Sequence, residues 1–424
     1  MSSKATTSPE VLDQDRWWMS DGLSETAGGL ALDGVALAPL AEAHGTPLYV
    51  HSEVTLRRRL GELRAALQAT GAPNKIYFAM KCNRFGPVLD VMRREGDLGL
   101  DTCSPREVER ALAHGFAPSE ISFTAGNLSS RDLARVADAG PHVNLDTRSA
   151  LRRWAAELDR RGARGDARRV GLRLDPKVKV GWRADPKLSY GDSKFGFAFD
   201  EAEEVARFAA GLGLEVDELH VHAGWAMPRS AADDLGSAFA QMAEVARAIP
   251  SVKILDVGGG LGWRYRADDD PLTPAIWSEL LRKHLAPTGR TIVCEPGTYV
   301  TASAGVLICE VTTVEVRRGV RWIGLNAGHN INVFAAHYGI PLAIVPLRAP
   351  LAEPVGLANI AGNINEANDV FARERPMPAL QEGELVALAP AGAYGQSMSS
   401  DHCMRGFAGE VLLAADGSIQ LGVR

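Results

Sequence analysis

The chain is predicted to combine an α/β domain with a β-rich one: a (β/α)8 barrel of the TIM type, and a C-terminal β-rich domain that also takes in the N-terminal segment. Three observations lead there. Eight short apolar runs alternate with helical segments between about residues 76 and 295, almost every reactive-looking side chain stands at the end of one of those runs, and beyond Glu295 the texture changes. In a (β/α)8 barrel the active site is built from the loops after the strands, at the C-terminal rim.

The barrel strands are read at 76–80, 98–100, 121–123, 143–145, 170–174, 219–221, 254–257 and 291–294. At or just past their ends stand Lys81, Asp101, Gly126-Asn127, Asp146, Arg173, His222, Gly258-Gly259-Gly260 and Glu295. Between strands the period is helical: Leu151, Trp154, Ala155 and Leu158 fall at i, i+3, i+4 and i+7, with Gly162 where a helix can stop. After Glu295, the Val/Ile/Leu-rich runs 305–316, 322–325, 342–347 and 384–388 read as strands, and 29–50 also looks strand-like. The expected division is a poorly ordered tail over 1–25, a β-rich domain from 26–50 and 297–424, and a barrel over 51–296.

Composition narrows the function class. A chain of 424 residues, 46% hydrophobic, with mean hydropathy −0.08, is an ordinary globular protein large enough for two domains. A net charge of −6 gives no pull toward nucleic acid or anionic membrane, and the basic stretch 160–169 reads as a solvated face. No apolar run approaches the roughly 20 residues of a membrane helix, and MSSKATTSPEVLDQDRWW lacks the apolar core of a secretory signal. Cys82, Cys103, Cys294, Cys309 and Cys403 have no paired spacing, so neither a disulfide framework nor a metal site is expected; the setting is read as cytoplasmic.

The rim residues carry the chemistry. Lys81, in YFAMKCN, can form a Schiff base with an aldehyde, or can simply pair with a rim carboxylate. The glycine run in LDVGGGLG can bring backbone N–H groups close to a phosphate, or can be a tight turn. Glu295, in CEPG, can hold a pyridinium proton or cap a turn; His222, in HVHAGW, can lay a flat ring on a cofactor or sit satisfied in the core. Taken together, a Schiff-base lysine, a phosphate cradle, a stacking imidazole and a carboxylate for a pyridine nitrogen are the needs of pyridoxal 5′-phosphate (PLP).

With these motifs the sequence resembles the fold-type III, alanine-racemase-like PLP enzymes, and among them the diaminopimelate, ornithine and arginine decarboxylases. The likeness runs from Pro47-Leu48-Tyr49-Val50 to the C-terminal GAYGQSMSS, through YFAMKCN, DTCSPREVERAL, FTAGNLSS, NLDT, SKFGF, HVHAGW, DVGGGLG and CEPG. The resemblance implies that Lys81 bonds the cofactor, His222 stacks on its ring and Glu295 keeps the pyridine nitrogen protonated. It further implies that Gly258, Gly259, Gly260 and Tyr394 hold the phosphate, that Asp101 and Glu107 support the lysine region, and that Arg173 lies among the substrate contacts. A homodimer with shared active sites is implied too, Lys81 and Glu366 of one site coming from different subunits.

The departures from the family matter as much. Asn365, in NEAND, stands where the family has the cysteine that protonates the carbanion, and an amide cannot donate a proton as a thiol does. Cys403, in SSDHCMRG, is a disfavoured substitute. Trp225 replaces a serine, Thr298 replaces the arginine of EPGR, and Phe334 falls where diaminopimelate decarboxylases carry a second arginine. Without that clamp for a distal carboxylate, diaminopimelate is not the expected substrate. Glu366 and Tyr338 remain for a distal amine or hydroxyl, and Phe334 and Trp225 favour a more apolar or bulkier substrate. The leading expectation is therefore PLP-dependent decarboxylation of another amino acid or amino-acid-derived intermediate. The alternatives are a racemase, epimerase or lyase with His329, Tyr338 or His402 as second acid, a decarboxylation-coupled transaminase or oxidase, and a silent regulatory paralogue.

Overall fold

The computed structural model describes residues 16–19, 22–191 and 193–422. Much of the expected poorly ordered tail, at 1–15, 20 and 21, lies outside the described residues; the remainder is structured. Trp17–Met19 forms a 3-10 turn and Leu23–Thr26 a strand, because Trp17, Trp18 and Leu23 have an apolar core to pack against.

The chain divides into two compact units, one comprising Arg59–Gly262 and Pro271–Tyr299, the other Met1–Arg58, Trp263–Asp270 and Val300–Arg424. The first is the barrel. Its strands are β1 (Asn74–Ala79), β2 (Leu98–Thr102), β3 (Ile121–Thr124), β4 (His142–Leu145), β5 (Arg169–Asp175), β6 (Glu215–Val221), β7 (Ile254–Asp256) and β8 (Thr291–Cys294). Each pairs in parallel with the next, and Cys294 of β8 comes into register with Ile76 of β1, closing the sheet. Between β4 and β5, Thr147 caps the helix Arg148–Arg160 through a bond from the Ala150 N–H. The helix buries Leu151, Trp154, Ala155 and Leu158, the face its periodicity predicts. The basic stretch after it is taken up in ion pairs such as Arg168–Asp159 at 2.7 Å.

Inside the barrel, large and absent side chains alternate. A Cβ on Gly99 of β2 would come within 2.3 Å of the Tyr77 ring of β1, and one on Gly171 of β5 within 1.6 Å of the Asn144 Oδ1 of β4. These glycines are required by close approach, since a neighbouring side chain fills the space.

The second unit is built on Gly305–Arg317, antiparallel to Val320–Leu325, Leu385–Ala389 and Leu48–Ser52, with Gly409–Leu413 parallel to Leu48–Ser52. Leu30, Leu32, Val50, Ile308, Ala387 and Val411 lie in its core. The strand-like reading of 29–50 is corrected in its middle: Ala38–His44 is a helix, its sequence APLAEAH free of β-branched residues and carrying Pro39 in the first turn. Gly356–Ala361, Val370–Met377 and Ile419–Leu421 add strands that the sequence reading did not anticipate.

Candidate active site

Lys81 follows β1, and its Nζ donates to Asp101 Oδ2 at 2.7 Å. The lysine side chain is 38% exposed and the aspartate that anchors it fully buried. Burial and the Glu295 charge push the Asp101 carboxyl up to about 7 against the pull of Lys81. Glu107 does not reach the lysine; its carboxylate accepts the backbone N–H and the thiol of Cys103. The expected support of the lysine region by Glu107 is thus indirect, because the Ser104 cap draws the residue into the helix Pro105–Ala113.

His222 lies just past β6. Its Nδ1 accepts the Gly259 N–H at 3.2 Å, so the neutral ring carries its proton on Nε2. Loss of water around the ring, with the charges of Lys81 and Arg173, holds the imidazole well below its ordinary pKa. Tyr190 packs against it with centroids 4.7 Å apart.

Glu295 ends β8 and accepts from His220 Nε2 at 3.1 Å. Burial pushes its carboxyl up, but the charge and hydrogen bond of His220, with Lys81 and His222 beyond, bring it down to about 2. Among the described residues nothing donates to its buried Oε1. A buried carboxylate oxygen without a donor is costly, and a ligand N–H fits there.

The N–H groups of the glycine run are partly engaged within the protein. Gly258 N–H goes to Asp256 Oδ1 at 2.8 Å and Gly259 N–H to His222 Nδ1 at 3.2 Å, so of the run only the Gly260 N–H is without a hydrogen bond among the described residues. The run has a second reason: Cβ atoms at Gly258, Gly259 and Gly260 would meet the carbonyls of Val221, Glu295 and Gly224 at 2.5–2.6 Å. Glycine here lets three rim loops touch.

Trp225 and Thr298 are both buried, and the indole Nε1–H donates to Thr298 Oγ1 at 2.7 Å. The Trp225 backbone accepts from Trp182 N–H and donates to Leu188, which ties it to the loop after β5. Arg173 stacks its guanidinium 3.9 Å from the Phe195 ring centroid, and burial lowers its pKa.

The remaining expected residues lie in the second unit. Phe334 packs on Tyr394 at 5.1 Å and on Tyr338 at 5.5 Å. Asn365 and Glu366 are exposed, and Glu366 pairs with His402 at 3.1 Å. Cys403 is exposed and His329 sits 3.7 Å from Asp369. The sequence reading passed over His220, Asp256 and Tyr190. His220 was accessible to it: it stands on β6, two residues before His222, where strand alternation turns both toward the same side.

A family model described as the pyridoxal binding domain of pyridoxal-dependent decarboxylases matches residues 54–302. The diaminopimelate decarboxylase of Pseudomonas aeruginosa is 34% identical over 402 residues, covering 93% of this chain and 94% of its own. That of Methanothermobacter thermautotrophicus is 32% identical over 397 residues, 91% of each chain. A crystal structure of an Aquifex aeolicus protein superposes with a TM-score of 0.85 at 27% identity, covering 96% of this chain and 95% of that one. Helicobacter pylori diaminopimelate decarboxylase, complexed with L-lysine, shares the fold at a TM-score of 0.82 and 24% identity, over 90% and 95% of the two chains. A lysine at the mouth, a stacking imidazole and an undonated carboxylate oxygen are what PLP requires, and the chain belongs to the pyridoxal-dependent amino-acid decarboxylases of fold type III.

Proposed function

We propose that the protein decarboxylates an amino acid, or an amino-acid-derived intermediate, other than diaminopimelate. The observation that carries this reading is the Trp225–Thr298 hydrogen bond. Where the resemblance implies an arginine, a hydroxyl stands buried and engaged by an indole. At the other position, Phe334 is packed among aromatic rings. Neither neutral side chain can make the charge-assisted, two-pronged contact that a distal carboxylate needs.

Bound PLP supplies the sink for the electron pair left at Cα when CO2 departs. In this proposal Lys81, anchored by Asp101, offers its amine to the cofactor aldehyde. Glu295, held ionised, keeps a proton on the pyridine nitrogen. His222, neutral and fixed by Gly259, provides a flat uncharged surface, and Gly260 with Tyr394 serves the phosphate. Arg173, Thr298, Phe334, Tyr338 and Glu366 remain the proposed substrate contacts. Asn365 cannot protonate Cα, so the acid is another group. The homodimer with shared sites is also proposed. It is supported by the large apolar side chains exposed near Glu366 and His402, Met404 at 89% and Phe407 at 49%. Among the described residues no helix is long and apolar enough to cross a membrane.

The test is incubation of PLP-loaded protein in D2O with L- and D-amino acids, meso-diaminopimelate included, followed by mass spectrometry. Loss of the carboxyl group with one deuterium at Cα, on a substrate other than diaminopimelate, is expected. Preferred turnover of diaminopimelate would overturn the specificity, and deuterium exchange without carboxyl loss would replace decarboxylation by racemisation.

A further inference from the structure

We propose that His220 is a positioning residue that orients Glu295 for the pyridine nitrogen of the bound cofactor. The three side chains converge inside the barrel from β6, β7 and the end of β8, with donor atoms within 4.8 Å of one another. His220 and Asp256 are register partners on adjacent strands, and both are essentially inaccessible to solvent. His220 grips one oxygen of Glu295, Oε2, which turns the other, Oε1, away as the oxygen without a donor. A carboxylate bonded on one side has a single direction left in which to accept, and rigid aim of this kind is what a pyridinium N–H requires.

His220 Nδ1 and Asp256 Oδ2 are both buried without a hydrogen-bond partner among the described residues. Burial, reinforced by the charges of Glu295 and Glu218, pushes the Asp256 carboxyl well up, toward the protonated form. Asp256 thus stands beside His220 in the register of the sheet without a hydrogen bond to it. The other titratable and charged groups facing Glu295 are Lys81 and Tyr77 from the first strand and the loop after it, Asp101 from β2, Arg173 from β5, Asp256 from β7 and, past β6, His222. His220 is hydrogen-bonded to Glu295.

This inference rests on the PLP assignment, and its test reads cofactor binding rather than turnover. PLP affinity is measured by titration of visible absorbance for the parent, His220→Leu and His220→Gln, between about pH 5.5 and pH 8.5. Loss of one hydrogen bond to a charged group is expected to weaken binding to His220→Leu by about tenfold. Binding should weaken further toward acid, because Glu295 without its partner takes up a proton. The glutamine amide can donate from near the Nε2 position, so His220→Gln should bind within about threefold of the parent, with a flat pH profile. Parental affinity and profile in His220→Leu would overturn the proposal. So would a glutamine variant as impaired as the leucine one while both melt like the parent without cofactor, since that pattern belongs to packing. If His220→Leu does not fold, His220→Asn replaces it: its shorter amide cannot reach Glu295, and binding equal to that of His220→Gln would refute the role. Failure of the parent itself to take up PLP would instead overturn the cofactor assignment.

Discussion

Replacing Trp225 by Phe removes the indole N–H from Thr298 Oγ1 and leaves a buried hydroxyl without its donor. Such an orphan costs about 1–3 kcal/mol, although the bond itself contributes only about 1 kcal/mol net. The smaller ring adds roughly 1–2 kcal/mol in lost contacts at a site that is 5% exposed. Thr298→Val keeps the shape and orphans the indole instead, at about 1–3 kcal/mol. In the double variant neither orphan exists, so its cost should fall short of the sum of the singles by about 1–2 kcal/mol. The assay is urea denaturation of the cofactor-free protein followed by circular dichroism, comparing midpoints at constant slope. Additivity within about 0.5 kcal/mol would refute the idea that the two residues act as one element.

Four further outcomes are expected. Thr298→Arg alone should gain no activity toward amino acids with a distal carboxylate, because the Trp225 indole occupies the approach, whereas Trp225→Ser/Thr298→Arg should gain it; equal behaviour of the two in a decarboxylase assay would count against the pairing. Lys81→Arg keeps a cation beside Asp101 but should abolish the mass increment left by borohydride reduction of the PLP-treated protein; a retained increment would place the cofactor bond elsewhere. Burial lowers the His142 pKa, but Glu218 and Asp217 outweigh it and the net shift is upward from 6.5. Its contribution to stability is therefore complete below about pH 6.5 and is lost as pH rises through the higher folded value, so the stability gap between parent and His142→Gln should shrink from about pH 6 to about pH 9 in denaturation curves. Gly171→Ala should cost about 1–3 kcal/mol or more, because its Cβ meets Asn144, while Gly61→Ala, exposed with nothing within 4 Å, should stabilise by about 0.5–1 kcal/mol; melting curves of the same sign would contradict the packing account.

The barrel was legible because each parallel strand is covered on both faces, which concentrates apolar residues into short runs that punctuation can bound. The same logic failed for Val370–Met377, where FARERPM is largely uncovered and a bulge breaks its pairing, so no period survives. Residues 38–44 misled because a short apolar stretch does not distinguish strand from helix. At the rim, positions of Lys81, His222 and Glu295 followed from where strands stop. Partners did not: Trp225 and Thr298 are 73 residues apart, and only the folded chain shows that two of the three glycine N–H groups are already engaged.

The strand Leu48–Ser52, buried at all five positions, has both its neighbours far downstream, in Gly305–Arg317 and Gly409–Leu413. During synthesis at roughly 5–20 residues per second, the stretch of about 250 residues before the first of them takes about 12–50 s to emerge. The barrel's last segment, ending at Tyr299, is complete by then. The nascent chain therefore carries an apolar strand with two uncovered edges through the whole time the barrel is being made. A sheet begun before the barrel is finished only after it, and the hazard in producing this protein is concentrated in that early strand.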